Sequence, residues 1–251
     1  MLQKTVELRR MHHLLRLQII TVLFFTTSFS ANSQFKYKEQ YRLERDNKLF
    51  YFGMSLGAAT SYLHPSKSPE FLANDSILLV EPGKSTGYSV RLMATARLTN
   101  RFEFRINPGL ILGIDRSFTY HLGKRQLYED SVVTKIIQSN IATFPFQFKF
   151  NSDRINNFKV YMVAGIKYDI DLASNSGSRN AENLIKLKKA DFGAELGIGF
   201  NFFLKFVTLT PELRFSNGFT NLHDRDPNLK YSNVLDKLNS RMILFSIHLE
   251  E

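Results

Sequence analysis

The run DRINNFKVYMVAGIKYDIDLAS, residues 153–174, alternates between two kinds of side chain over most of its length. One set of alternate positions is apolar: Phe158, Val160, Met162, Ala164, Ile166, Tyr168, Ile170 and Leu172. The other set carries the charges: Lys159, Tyr161, Val163, Gly165, Lys167, Asp169 and Asp171. A period of two predicts a β-strand with an apolar face and a charged face. The run exceeds the usual globular strand of about 5–6 residues, and it suits a tilted strand that crosses a bilayer, which needs about 9–11 residues.

The same alternation predicts strands in the rest of the chain. Further strands are predicted at residues 50–63, 85–99, 101–120, 188–203 and 206–218, around Phe144 to Phe150, and around Ile243 to Leu249. The connections between these eight strands alternate between long and short, beginning with a long polar connection over residues 64–84. Such alternation is typical of outer-membrane barrels, in which the short turns and both termini are periplasmic. The sequence therefore predicts an all-β fold, an eight-stranded antiparallel transmembrane up-and-down β-barrel at residues 50–251.

The direction of the apolar face separates two kinds of barrel, because soluble eight-stranded barrels such as lipocalins turn it inward. The interior of eight strands is just wide enough for side chains to fill. Most of the 23 phenylalanines lie on the apolar face, and together they are too bulky for that interior. The charges would each cost about 2–4 kcal/mol if they faced the middle of the bilayer. We therefore predict that the phenylalanines contact lipid and that the charges pair inside the barrel.

The predicted network of internal charges plugs the lumen of the barrel. It comprises Arg91, Arg97, Glu103, Arg105, Lys149, Lys167, Asp169, Asp171, Glu195, Glu212 and Arg214. The same predicted inward face includes Asp115, Lys159 and Asp191. Three prolines, Pro108, Pro145 and Pro211, lie within predicted strands, where each removes a hydrogen-bond donor and a closed barrel offers no free edge. We predict β-bulges at these prolines.

The first 33 residues have the order of a secretory signal peptide. A basic start is followed by an apolar stretch at residues 14–25 and then by small polar residues. This order predicts a signal peptide at residues 1–33, with cleavage between Ser33 and Gln34. Residues 34–49 are highly charged and lack a period of two, which predicts a charged periplasmic leader that could form a short surface helix.

Composition excludes several functional classes. The mean hydropathy is −0.19, so no bundle of membrane helices is predicted. The chain has no cysteine and therefore cannot form a disulfide or a thiolate metal site. The net charge of +10 includes a basic excess in residues 1–33, and the other lysines and arginines are scattered among acidic residues. Without a basic patch, nucleic-acid binding is not predicted.

Two motifs invite a binding role, one in the predicted turn before the second strand and one on a predicted strand. The run EPGKST, residues 81–86, contains a GKS sequence but lacks the first glycine and the following helix of a phosphate-binding loop. Asp169 and Asp171 could bind a cation. Pairing with Lys167 inside the barrel is the favoured interpretation, because buried charges need partners.

Two further groups of residues lie near the ends of strands. The loop run HDRD, residues 223–226, could form a weak surface metal or partner site, although solvated charge runs are more common in loops. Ser117 and His121 could serve a membrane-embedded hydrolase, but no G-x-S-x-G motif supports them. No catalytic residue, metal ligand or cofactor is predicted.

Six short runs occur together along the predicted barrel. They are NPG at 107–109, SDRINN at 152–157, GIKYDIDLAS at 165–174, ELGIGFNF at 195–202, PELRFSNG at 211–218 and SRMI at 240–243. Together they resemble the PorT family of outer-membrane barrels from Bacteroidetes, and the resemblance covers essentially the whole mature chain. That family is associated with the type IX secretion system, which exports proteins with a C-terminal sorting domain and supports gliding motility in some species.

The resemblance implies a component or accessory of this secretion machinery in the outer membrane. It implies a plugged, monomeric barrel that acts by contact with other secretion-system proteins, within a larger assembly and embedded in the lipid bilayer. The family is not an enzyme family, so no catalytic residue is implied. The residues leave one alternative function open, a small outer-membrane pore or solute channel.

Overall fold

The computed structural model describes residues 39–69, 71, 77–123, 130–173, 185–225 and 230–251. The predicted signal peptide and its cleavage site between Ser33 and Gln34 lie outside these residues, as does the first part of the predicted leader. Within the described part of the chain, no helix is both long enough and apolar enough to cross a membrane.

Ten strand segments form one closed antiparallel sheet. They are β1 (Phe50–Lys67), β2 (Ile77–Gly83), β3 (Ser85–Arg97), β4 (Phe102–Ile106), β5 (Gly109–Leu122), β6 (Val132–Asn151), β7 (Phe158–Asp171), β8 (Ala190–Phe203), β9 (Thr208–Gly218) and β10 (Leu235–Glu250). A 3₁₀ helix, Leu43–Asn47, precedes β1, and a one-turn α-helix, Lys230–Asn233, precedes β10. The sheet closes because β1 pairs with β10 on one side and with β3 on the other.

The ten segments occupy eight positions in the barrel wall, which confirms the predicted fold. Only Lys84 separates β2 from β3, and both segments pair with β5. Asn107 and Pro108 separate β4 from β5, and both of these segments pair with β6. The polar connection predicted at residues 64–84 was partly wrong, because β1 continues to Lys67 and β2 forms before Lys84. Ile77 and Val80 of β2 belong to a buried apolar core.

The apolar face of the wall points outward, as predicted. Phe146 and Phe148 are 41% and 58% exposed, whereas their neighbours Gln147 and Lys149 are buried. The same alternation of exposed apolar and buried polar side chains runs through β7, β8 and β9. The exposed apolar band is therefore the surface that contacts lipid.

The three prolines within the wall are not accommodated by bulges, so that prediction was wrong. Pro145 and Pro211 pair in an unshifted register with Lys167 and Ile247. Pro108 lies in the interruption between β4 and β5, and the register against β6 is the same before and after it. Pro145 faces this same interruption across the sheet, so the missing donors of the two prolines fall close together. Their carbonyl oxygens still accept hydrogen bonds from the Asn107 and Leu92 amides, at 3.4 and 2.9 Å.

A bulge does occur five residues further along β5, between Ile111 and Ile114. It contains Gly113 at a φ of 73°, a left-handed conformation that glycine adopts without steric cost. The extra residue reverses which face each following side chain occupies. Asp115, which we predicted to face the lumen, is therefore exposed, and Phe118 is fully buried.

The two ends of the barrel differ. At the end that carries the long loops, here called the long-loop end, buried apolar residues form a core across the mouth of the barrel: Leu63, Phe71, Ile77, Val80, Phe118, Tyr120, Leu122, Ile137, Ile185, Leu187, Leu222, Tyr231, Val234, Leu235 and Leu238. The opposite end, here called the short-turn end, carries the tight turns and the 3₁₀ helix. Tyr120 and Tyr231 join wall and loop, with ring centroids 4.9 Å apart.

Candidate functional site: the plugged lumen

An ion pair spans the full width of the lumen at its centre. The Arg105 guanidinium on β4 donates a 2.6 Å hydrogen bond to the Glu212 carboxylate on β9. Because three wall strands lie between β4 and β9 in either direction, these two strands lie opposite each other. Both side chains have no exposed surface. The pair therefore occupies the lumen at this level of the barrel.

Glu212 accepts contacts from several strands besides β4. The Tyr161 hydroxyl on β7 donates a 2.6 Å hydrogen bond to it. Arg214, which lies on β9 like Glu212, also donates to it. The His248 Nε2 atom on β10 lies 3.6 Å from the second carboxylate oxygen. Glu212 is thus the acceptor around which four wall strands are tied together.

A second carboxylate extends this central layer. Glu195 on β8 accepts a 3.2 Å hydrogen bond from Arg214 and a 2.7 Å hydrogen bond from the Gln147 amide on β6. Gln147 in turn accepts a 2.8 Å hydrogen bond from Arg105. The polar groups therefore form a connected ring, which satisfies buried charges that would otherwise be costly.

A separate layer lies between the centre and the short-turn end. Glu103 accepts a 2.8 Å hydrogen bond from the Tyr51 hydroxyl and lies 3.4 Å from the Lys149 ammonium. Arg97 lies 3.8 Å from the other Glu103 oxygen. The Lys149 ammonium also sits 4.1 Å from the centroid of the Tyr161 ring, which connects this layer to the central one.

The end of the predicted leader closes the short-turn end. Arg45, in the 3₁₀ helix, is 3% exposed and pairs with Glu250, the last residue of β10. Its guanidinium carbon lies 4.3 Å from the centroid of the Tyr51 ring and 5.5 Å from that of Phe203. The predicted short helix does form, but its central side chain is buried in the barrel rather than on the surface.

A turn between β6 and β7 holds this leader segment from outside. Arg154 donates hydrogen bonds to the Tyr41 carbonyl oxygen and, at 2.7 Å, to the Asp46 carboxylate. The Tyr41 amide donates a 2.8 Å hydrogen bond to the Asn157 side chain. We call residues 40–47 the strap, because both its ends are tied to the barrel and Arg45 lies between them.

Some residues of the predicted network lie inside without joining it. Arg91 is buried, yet none of its three guanidinium nitrogens has a hydrogen-bond partner among the described residues. Lys167 pairs with Asp169, separately from the central ring. Asp171 is half-buried and accepts a 3.0 Å hydrogen bond from the Ala173 amide at the end of β7.

The Asp169–Asp171 pair does not build a cation site in this structure. A cavity of about 20 Å³ lies beside both residues and Asp191, but the guanidinium-bearing Arg116 lines it too. That volume is enough for about one water molecule. Within the described ranges, no three His, Asp or Glu side chains are grouped so that they could hold a metal ion.

The other residues singled out from the sequence stay apart. Ser117 and His121 lie four residues apart on β5, which places their Cα atoms about 13 Å from each other. His121 instead lies 3.5 Å from Glu81. His223 is buried and lies 2.9 Å from the Ser232 hydroxyl. Residue 226, the last of the HDRD run, lies outside the described residues.

Sequence reasoning missed several members of the lumen layers. Tyr51, Tyr161 and Gln147 occupy inward positions by their alternation, so the signal was present although only charged residues were selected. Glu250 could have been found in the same way, since its neighbour Leu249 points outward. Arg45 lies outside any periodic segment, and no pattern in the leader indicates that it enters the barrel.

The packing of the long-loop end around His223 should become less stable in acid. Burial lowers the pKa of His223 below its ordinary value of about 6.5. The neutral imidazole is held by the Ser232 hydroxyl at 2.9 Å and the Asp236 carbonyl oxygen at 3.4 Å. A lowered folded-state pKa means that this stability is complete above about pH 6.5 and is lost as the pH falls through the folded-state value. The protection factor of the β10 amides near Leu238, which corrects the observed exchange for its intrinsic pH dependence, should fall between pH 7.5 and 5, and His223→Gln should remove that fall; an unchanged pH profile in the variant would contradict the prediction.

Comparison with known proteins agrees with this barrel. Residues 39–224 match the family model described as outer membrane protein beta-barrel domain. The chain belongs to this family. It is therefore a protein of the outer membrane, and its apolar band is embedded in the lipid bilayer. The comparison with curated proteins finds no match.

Three solved structures of outer-membrane barrels are similar to the chain. Neisserial surface protein A is 14% identical, with a TM-score of 0.43 over 80% of this chain and 97% of that one. OprG from Pseudomonas aeruginosa is 12% identical, with a TM-score of 0.40 over 79% and 95%. Ail, the attachment invasion locus protein of Yersinia pestis, is 9% identical, with a TM-score of 0.39 over 81% and 100%.

Proposed function

We propose that this outer-membrane barrel is a non-conducting component or accessory of the type IX secretion machinery and acts through protein contact. The observation that carries the non-conducting part is the ion pair between Arg105 and Glu212, which joins opposite walls of the barrel. The link to type IX secretion rests on the resemblance of the six runs to the PorT family. A role in gliding motility follows from the same resemblance.

The two ends of the barrel are the surfaces available for partner contact. Loops on a rigid scaffold are where binding residues usually lie. The apolar core beneath the long loops holds their bases in place, and the strap does the same at the short-turn end. Two exposed turns, joined by the ion pair between Arg101 and Asp153, add a polar rim beside the strap. We expect secretion partners to contact one or both of these ends.

The experiment that tests the proposal has two arms. Deletion of the gene should leave proteins with a C-terminal sorting domain inside the cell, and the wild-type gene should restore their export. The purified barrel should give no steady conductance in planar bilayers, because charged side chains fill the lumen. Normal cargo export in the deletion strain would refute the secretion role. A stable open conductance would favour the small pore instead.

A further inference from the structure

A groove of about 460 Å³ lies on the outer surface of the wall towards the long-loop end. Its outward-facing lining comprises Tyr62, Arg241, Asn217 and Ala194 above and the apolar Leu196, Phe215 and Ile243 below. The groove is also lined by Glu195, Ser216 and Met242, whose side chains are buried. The volume falls within the about 300–1,000 Å³ that is usual for small-molecule sites. Because the surrounding wall contacts lipid, the molecules that reach this groove come from the membrane.

Register explains why the upper residues form one row. Tyr62 on β1 pairs with Arg241 on β10, Arg241 pairs with Asn217 on β9, and Asn217 pairs with Ala194 on β8. Paired residues lie side by side on one face of a sheet. The small Ala194 side chain leaves room in this row, which gives the groove its depth.

The row lies at the upper edge of the apolar band on β1 and β10, where the next outward residues are His64 and Asn239, whereas Phe192 and Phe219 continue the apolar surface beside β8 and β9. Two positions closer to the middle of the barrel, the outward residues are Ile243 on β10, Phe215 on β9 and Leu196 on β8, and all three are exposed. They also line the groove. A groove that is apolar below and polar above fits a lipid, which has an acyl chain and a polar headgroup.

Arg241 is an exception to the inward placement of charges. It occupies an outward position of β10, and the outward positions of β8 and β9 are uncharged. Among the described residues, its guanidinium forms no hydrogen bond or ion pair. The carboxylates of the lumen layers lie on the opposite, inward face of the sheet. An exposed arginine at the level of lipid headgroups attracts anionic lipid, and its planar fork suits phosphate.

We propose that this groove binds a phosphate-bearing anionic lipid of the leaflet at the long-loop end. Arg241 binds the phosphate, Asn217 and the Tyr62 hydroxyl offer further polar contacts, and one acyl chain lies over Phe215 and Ile243. This site is independent of the proposed role in secretion, since it needs only the barrel and the bilayer.

Native mass spectrometry of the purified barrel tests this site, with anionic phosphatidylglycerol and zwitterionic phosphatidylcholine as probes. The wild type should retain one phosphatidylglycerol in preference to phosphatidylcholine. Arg241→Gln should weaken that preference about fivefold or more, as expected for one arginine near anionic lipid. Arg241→Lys should retain part of it, because lysine keeps the charge without the fork.

Arg225→Gln is the matched control. Arg225 lies at the same end of the barrel but outside the groove, where it donates a 2.7 Å hydrogen bond to Asn233. This variant should bind phosphatidylglycerol like the wild type. Equal retention by wild type and Arg241→Gln, or an equal loss in both variants, would overturn the proposal. Heat-dependent gel mobility should show that each variant is folded.

Discussion

Replacing Glu212 with glutamine should lower the free energy of unfolding by about 3–5 kcal/mol, the usual cost of removing one partner from a buried ion pair. The change preserves the size of the side chain and removes its charge. Arg105 and Arg214 then remain in the lumen without the carboxylate that both contact. Glu195 can compensate in part for Arg214, because it already accepts a hydrogen bond from it. Arg105 gains no such substitute.

Asp153→Asn is the matched control for this prediction. Its carboxylate pairs with Arg101 at 2.9 Å, a distance similar to that of the central pair, but the Asp153 side chain is 80% exposed. Exposed ion pairs contribute about 0–1 kcal/mol, so this variant should unfold close to the wild type. Urea unfolding in lipid vesicles gives both values. A loss for Glu212→Gln no larger than that for Asp153→Asn would show that the central pair contributes little to stability.

The alternation of side chains was sufficient to predict the wall of the barrel and the direction of its faces. It failed beyond Gly113, because one inserted residue reverses the alternation and nothing in the run around it fixes the register against β6. The prediction of bulges at Pro108 and Pro145 failed for a related reason. Each was judged within its own strand, but Pro145 lies opposite the interruption that contains Pro108, and only the pairing of β4 and β5 with β6 brings the two together.

The membership of the lumen layers was partly predictable, but their pairing was not. Alternation says that a side chain points inward without saying which strand it will meet. Arg105 and Glu212 are more than a hundred residues apart and meet because closure places β4 opposite β9. Arg91 has the same inward position and charge, yet it makes no hydrogen bond within the described residues. The difference is one of position along the barrel axis, which sequence periodicity does not encode.

Replacing Glu250 with glutamine should release the strap from the short-turn end. The Arg45 guanidinium would lose its buried carboxylate partner and keep its contacts with the Tyr51 and Phe203 rings. A hydrogen bond to a charged group contributes about 1.5–3 kcal/mol, which corresponds to about a 10- to 100-fold change in an equilibrium constant. The detached strap should therefore be populated about 10 to 100 times more in this variant.

Limited trypsin digestion measures that population, because the strap contains its own cleavage sites after Arg42 and Arg45 and the substitution leaves them intact. When opening is fast relative to cleavage, the rate follows the fraction of detached strap. Glu251→Gln is the control, since the adjacent carboxylate pairs at the surface with Lys48 at 2.7 Å. It should raise cleavage less than about threefold, in keeping with an exposed pair. Equal cleavage of the two variants would mean that Arg154 and the turn beside it hold the strap without the buried pair, and that Arg45 does not lock the short-turn end.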